Sequence, residues 1–61
     1  MGLTKKEIEC AVYVKKGFQI KEIAARMCIS PRTIEKHIAS IKQKLRIKNT
    51  KALIVFLGNF L

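Results

Sequence analysis

The sequence is poor in the residues on which secreted domains, membrane proteins and most enzymes depend. Its 61 residues contain no tryptophan and no aspartate, and only one proline, three glycines and two cysteines. Two cysteines are too few for the disulfide framework of a small secreted domain. The longest apolar run, 52–57, is far shorter than the roughly 20 residues that a membrane-spanning helix needs. Lys5 and Lys6 precede any apolar run, so we predict no signal peptide and a cytoplasmic domain.

Acidic residues are scarce as well, and this absence points to a class of partner. Thirteen lysines and arginines stand against four glutamates, which gives a formal net charge of +9. Such a charge favours a polyanionic partner. Because 49% of the residues are hydrophobic, the chain is not a disordered basic tail. Its length predicts one domain, 1–61, with no room for a nucleotide-binding fold or a deep active-site cleft.

Helix start and stop signals in the first half of the chain predict two helices. Thr4 and Glu7 have the spacing of a capping box, and the helix that follows ends with lysines before Gly17. A second, shorter helix is predicted over 20–28, where apolar residues recur on one face. Its start is weakly marked, because Gln19 is a poor cap.

Two further helices are predicted in the second half, which makes the fold all-α with four helices and no strand. The third begins at Ser30-Pro31, a helix cap followed by proline at the first helical position, and runs to about Arg46. The fourth begins at Asn49 or Thr50 and runs toward the end of the chain. The apolar residues of the third helix recur at helical spacing and predict one buried stripe, made of Ile34, Ile38, Ile41 and Leu45.

The second and third helices together form a predicted helix-turn-helix motif, 20–39. In this motif the second helix lies in the major groove of DNA and turns an outer face toward the bases. Side chains that can hydrogen-bond to base edges, and one small residue that allows close approach, lie opposite the buried stripe; they are Arg32, Lys36, Ala39 and Gln43. The alternative is an ordinary solvated face. Seven cations against one acid between Arg32 and Lys51 favour the DNA-facing interpretation.

A set of motif residues extends from Leu3 to about Ile54 without gaps. They are Leu3-Thr4, Lys6-Glu7, Glu9, Gly17, Lys21-Glu22-Ile23-Ala24, Ile29-Ser30, Thr33-Ile34, His37, Ile41 and Lys44-Leu45. With this set the chain resembles the LuxR-type (GerE-like) helix-turn-helix domain of bacterial transcription regulators. The resemblance implies a four-helix fold, a nucleoid-associated DNA-binding regulator without enzymatic activity, and dimerisation through the last helix. It also implies double-stranded DNA and a second copy as partners, a contact with RNA polymerase, and no cofactor or membrane.

Pattern and resemblance together predict a set of DNA-contacting residues on the second and third helices. They are Lys21, Arg32, Thr33, Glu35, Lys36, His37, Ala39, Ser40, Lys42, Gln43, Lys44 and Arg46. The resemblance places Thr33, Ser40 and Lys44 beside phosphates, where the first turn of the third helix can also offer N–H groups. His37 is expected near the DNA backbone and not as a general base, because no aspartate is present to support it.

Glu35 stands where the family usually has lysine, and two interpretations are open. An acid on this face can accept a hydrogen bond from cytosine N4, which would change the DNA sequence that is read. Alternatively, Glu35 only favours the positive end of its helix and pairs with Arg32 one turn earlier.

The remaining chemistry-bearing residues predict no catalytic or metal site. Cys10, Cys28 and His37 match no structural zinc spacing and lack a fourth ligand. Both cysteines are therefore expected to be small buried hydrophobic residues.

The fourth helix carries more apolar surface than one docked face explains. The face expected to cover the core consists of Leu53, Phe56, Leu57 and Phe60. The apolar residues left over, Ile54, Val55 and Leu61, predict a homodimer interface. Two alternatives are open: an adjoining domain that covers this surface, or a protein-interaction module in which the basic charge is incidental.

Overall fold

Four α-helices and short connections form the part of the chain that this computed structural model describes, residues 2–60. Helix α1 spans Lys5–Lys15, α2 spans Ile20–Met27, α3 spans Pro31–Lys44 and α4 spans Thr50–Phe60. No strand occurs within this range. The predicted all-α fold with four helices is confirmed. The third helix is slightly shorter than predicted, since it ends at Lys44 and not near Arg46.

The core is built around α1, which packs against each of the other three helices. Helix α3 also packs against α2. The buried apolar residues are Cys10, Ala11, Val14, Ile23, Ala24, Met27, Ile34, Ile38, Ile41, Leu53 and Leu57. Three residues of the stripe predicted for α3 are buried and the fourth, Leu45, is half-buried. Because that stripe is fixed to α1 and α2, the opposite side of α3 lies on the surface of the domain.

The predicted helix caps are present at α1 and α3. The Thr4 N–H donates to Glu7 Oε1 at 2.9 Å, and the Glu7 N–H donates to Thr4 Oγ1 at 3.2 Å, which completes the capping box. At α3, the Thr33 N–H donates to Ser30 Oγ at 3.2 Å. These bonds satisfy backbone donors that have no partner within the helix, so the sequence signals correspond to real helix starts.

Helix α2 is held at both ends by bonds that the sequence signals only weakly. At its start the Gln19 N–H donates to Glu22 Oε1 at 2.9 Å, so the glutamate compensates for the poor cap. At its end Cys28 has a φ of 58°, in the left-handed region, and the Ile29 N–H reaches the Ala24 carbonyl at 3.1 Å. The prediction that Cys28 is buried is wrong, because this turn leaves its side chain exposed.

The same left-handed turn ends two other helices. Gly17 follows α1 with a φ of 86°, which glycine adopts without steric cost. Arg46 follows α3 with a φ of 57°, and the Ile47 N–H donates to the Lys42 carbonyl at 2.8 Å. A residue with a Cβ is strained in this region, so Arg46 ends α3 by backbone geometry and not by a glycine stop signal. This is why the predicted end of the helix lies too far along the chain.

Helix α4 covers the core with fewer side chains than expected. Leu53 and Leu57 are buried and Phe56 is half-buried. The prediction that Phe60 also covers the core is wrong, because 56% of this residue is exposed. It lies in the last turn of α4, where its ring stacks on Phe56 with centroids 5.3 Å apart.

Replacing Cys28 with glycine should stabilise the domain. The left-handed conformation costs an L-residue about 1 kcal/mol or more, and Cys28→Gly removes that cost without deleting a buried side chain. We expect a gain of about 1 kcal/mol, or about 4–8 °C in Tm for a domain of this size, in thermal and urea unfolding. Cys28→Ala is the control, since it removes the thiol and keeps the Cβ. An equal gain in that variant would contradict the backbone explanation.

Candidate nucleic-acid interface

The outer side of α3 is a free polar face. The five side chains expected to meet bases are all exposed; they are Arg32, Glu35, Lys36, Ala39 and Gln43. Four of them, with Pro31, line a shallow hollow on the surface. The buried stripe lies on the other side of the same helix. The predicted exposure is therefore observed, and the contact of these side chains with bases stays a prediction.

A groove beside this face brings a residue of α2 close to α3. The groove has a volume of about 670 Å³ and also reaches α4. Its lining includes the charged residues Lys21, Glu35 and Lys42, above the buried residues Val14, Ile23 and Ile38. Lys21, predicted from the sequence as a contact at the start of α2, thus lies on the same side of the domain as Glu35 and Lys42.

The opposite flank of α3 faces α1, and its polar atoms are engaged within the domain. Ser40 Oγ donates to Glu7 Oε2 at 2.6 Å. Lys44 Nζ lies 2.6 Å from Glu7 Oε1 and 3.0 Å from the Gly2 carbonyl oxygen. We name Glu7, Ser40 and Lys44 the Glu7 clamp. Two residues expected beside phosphates therefore donate to a carboxylate of α1.

The other predicted contacts on α3 lie at its start, on its flank and just beyond its end. The Thr33 hydroxyl lies 2.9 Å from Ser30 Oγ, and its backbone N–H donates to the same atom. His37 is half-buried. Arg46 is exposed in the left-handed turn after the helix. Their contact with DNA also stays a prediction.

Glu7 is a buried acid that was predicted only as part of a helix cap. It is 4% exposed and accepts hydrogen bonds from the Lys44 ammonium, the Ser40 hydroxyl and the Thr4 N–H. These bonds, with Lys44 the largest cause, hold the pKa of Glu7 below its ordinary value, at about 2, although burial opposes the shift. The one sequence signal of its burial is its spacing, which places this acid on the same core-facing side of α1 as Cys10.

Glu35 has no cationic partner in the described part of the chain. Among residues 2–60, the only ion pair within 4.0 Å joins Glu7 and Lys44. The predicted pairing of Glu35 with Arg32 is therefore wrong: both side chains are exposed and stay apart in solvent, where such a pair gains little. That Glu35 favours the positive end of its helix stays a prediction. An unpaired acid remains on the outer side of α3, next to the groove.

The residues that could support other chemistry are not grouped. Between Gly2 and Phe60, no three His, Cys, Asp or Glu side chains are placed to hold a metal ion. Burial, with Glu7 and Glu9 nearby, raises the pKa of the Cys10 thiol to about 11, which disfavours a reactive thiolate. No helix in the described range is long and apolar enough to cross a membrane.

A short helix, a turn and a longer helix with an exposed polar face define the class of the protein: it is a helix-turn-helix domain. The comparison with known families then identifies it more closely. Residues 1–57 match the family described as bacterial regulatory proteins, luxR family, and the chain belongs to that family. Members of this family are DNA-binding regulators of transcription and do not form a class of enzymes.

Several curated proteins are similar to this chain. It is 37% identical over 54 residues to the oxygen regulatory protein NreC of Staphylococcus carnosus, and this stretch is 88% of the chain and 25% of NreC. It is 40% identical over 47 residues to the transcriptional regulatory protein UhpA of Escherichia coli, covering 77% of the chain and 24% of UhpA. It is 44% identical over 52 residues to the tetrathionate response regulatory protein TtrR of Salmonella typhimurium, covering 85% of the chain and 25% of TtrR. The chain thus spans about a quarter of the length of these relatives. No solved structure matches it.

The Glu7 clamp should make folding sensitive to acid. Because the pKa of Glu7 is lower in the folded state than its ordinary value of 4.5, its contribution to stability is complete above about pH 4.5 and is lost as the pH falls toward 2. Glu7→Gln removes the titrating group, so its urea midpoint should change less over this acid range. Glu9→Gln, on the exposed side of α1, is the control and should keep the acid sensitivity of the original chain. Parallel curves for the original chain and Glu7→Gln would contradict this account.

Proposed function

We propose that the domain binds double-stranded DNA in a sequence-specific manner, with α3 in the major groove. The observation that carries this proposal is the exposed polar face of α3 opposite its buried isoleucines. A helix fits the major groove, where each base pair presents a distinct pattern of donors and acceptors. In this arrangement the domain regulates transcription at the bacterial chromosome, in the cytoplasm, and has no chemistry of its own.

The contacts divide by their place on α3. The side chains that read base edges are Arg32, Glu35, Lys36, Ala39 and Gln43. Backbone phosphates are held by residues of the flanks and of the start of α2; these are Lys21, Thr33, His37, Lys42 and Arg46. Lys21 and Lys42 support this division because both line the groove beside the outer face. Ser40 and Lys44 are left out, since their polar atoms donate to Glu7.

A second copy of the chain covers the exposed side of α4. Ile54 is 38% exposed and Val55 is 64% exposed, although both are apolar. Adjacent exposed apolar residues on a small domain favour an interface. A symmetric dimer would present two recognition helices to half-sites about one helical turn of DNA apart. Leu61, predicted as part of this interface, lies outside the described residues.

The exposed apolar residues also fit a second candidate function, that of a protein-interaction module that uses α4. A contact with RNA polymerase is one form of it, through surface that DNA leaves free. Preference for a selected duplex over a scrambled one separates the two candidates, because an interaction module with incidental charge binds every duplex alike.

Lys36 and Lys42 should have different roles in DNA binding, although each carries one positive charge. Duplexes are first selected from a random pool, and affinities are then measured by anisotropy at several salt concentrations. Lys36→Ala should weaken discrimination at one base pair by about 1–3 kcal/mol. Lys42→Ala should weaken all sequences alike and reduce the slope of log affinity against log salt by about 0.9.

The two lysine variants also test which side of α3 lies in the major groove of DNA. If Lys36→Ala weakens all sequences alike and Lys42→Ala weakens discrimination at one base pair, the proposed side of α3 is the wrong one. Absence of duplex binding by the original chain at low salt would contradict the proposed function.

Val55→Asp should separate dimerisation from DNA binding. A charge on the exposed side of α4 disfavours apolar association and does not alter α3. We expect this variant to lose cooperative binding to a duplex with two half-sites and to keep its affinity for one half-site. Ile8→Asp is the control, because Ile8 is 44% exposed on α1 and carries the same change. Unchanged cooperativity in Val55→Asp would contradict the α4 dimer.

A further inference from the structure

We propose that the Glu7 clamp sets the rotation of α3 about its own axis, and that Ser40 and Lys44 are positioning residues that do not contact phosphates. The inference rests on the proposed function, because the face that the clamp orients is the one proposed to read bases. It assigns to α1, which carries none of the proposed DNA contacts, a part in sequence recognition.

The geometry of the clamp suits this role. Ser40 and Lys44 are four residues apart and therefore lie on adjacent turns of one flank, about 6 Å apart along the axis. They bind the two oxygens of the same carboxylate, Ser40 to Oε2 and Lys44 to Oε1, each at 2.6 Å. Glu7 itself is fixed by its bond to the Thr4 N–H at the start of α1. The clamp thus joins α3 to α1 at two heights.

The apolar stripe alone does not define the rotation as closely. Hydrophobic packing is non-directional, so α3 can turn slightly while Ile34, Ile38 and Ile41 stay covered. Hydrogen bonds weaken steeply when their angle or length changes. A turn of about 20° moves a side-chain end about 6 Å from the helix axis by roughly 2 Å, which is enough to break a contact with a base edge.

Three of the four side-chain donors of the clamp are already in use within the domain. Ser40 has one hydroxyl proton, and it is donated to Glu7. Lys44 is 38% exposed, yet its ammonium group is held by Glu7 and by the Gly2 carbonyl. Moving Lys44 to a phosphate would leave a buried carboxylate without its counter-charge, which is costly.

Lys42 offers a matched comparison on the same helix. It lies two residues from Lys44, on the flank that lines the groove. In the described range it has no carboxylate within 4.0 Å. Its charge is therefore available to a phosphate, whereas the charge of Lys44 is balanced by Glu7.

The experiment compares the double variant Glu7→Gln/Lys44→Met with Lys42→Met. The double variant removes both charges of the clamp, so no buried carboxylate is left unpaired, and circular dichroism melting establishes that both proteins are folded. Affinities are measured for the selected duplex and for a scrambled duplex over a range of salt concentrations. The double variant should keep the original salt slope, while its preference for the selected duplex falls about tenfold, the equivalent of one base contact. Lys42→Met should reduce the slope of log affinity against log salt by about 0.9 and keep the preference for the selected duplex.

Two outcomes overturn the proposal. A loss of about 0.9 in the salt slope of the double variant would make Lys44 a phosphate contact. An unchanged preference for the selected duplex would show that the clamp does not orient the reading face. A DNA-free measurement separates these failures from failure of the proposed function: residual dipolar couplings of the α3 amides should report a turned helix in the double variant. Unchanged couplings would refute the clamp's role even if no duplex is bound.

Discussion

Burial of one narrow stripe of isoleucines determines how this domain is arranged. Ile34 and Ile41 are fully buried against α1 and α2, and Ile38 is nearly so. Each buried isoleucine contributes about 1.5–3 kcal/mol, whereas a folded chain of this length is stable by only about 3–9 kcal/mol in total. Loss of the packing of α3 would therefore cost most of the stability of the domain. Because this packing is kept, the polar residues on the other side of α3 must face solvent. The exposed face follows from the core.

The charge of the protein is distributed in agreement with this arrangement. A net charge of +9 on 61 residues implies repulsion that folding has to overcome. Only one acid of the described part is engaged in an ion pair, and it lies inside, between α1 and α3. The cations on the outer and groove sides of α3 have no carboxylate within 4.0 Å in the described part of the chain. Membership in the luxR family agrees with this distribution of charge. Because the chain spans only about a quarter of the length of NreC, UhpA and TtrR, the agreement concerns this one domain.

Local signals predicted those features that depend on neighbouring residues. Thr4 with Glu7, and Ser30 with Pro31, mark helix starts because cap and partner lie within one turn of each other. Deviations occur where the backbone or a distant contact decides. Cys28 and Arg46 end helices in a left-handed conformation that glycine usually adopts, and neither residue type signals it. Phe60 has the spacing of a core residue but lies beyond the edge of the core, which no periodicity reveals.

The amino-acid sequence by itself determined the four helices, the apolar stripe of α3 and hence the polar face opposite it, because each of these depends on spacing along a single helix. Only the tertiary structure decided what the flanks of that helix do. In the Glu7 clamp, Ser40 and Lys44 follow Glu7 in the chain by 33 and 37 positions, and contacts over such separations leave no periodic pattern in the sequence. The groove likewise exists only because packing on α1 places residues of α2, α3 and α4 along the same depression. The physical reason is separation along the chain. Within one or two helical turns, residue type determines the local geometry, whereas contacts between residues farther apart are determined by how the helices pack.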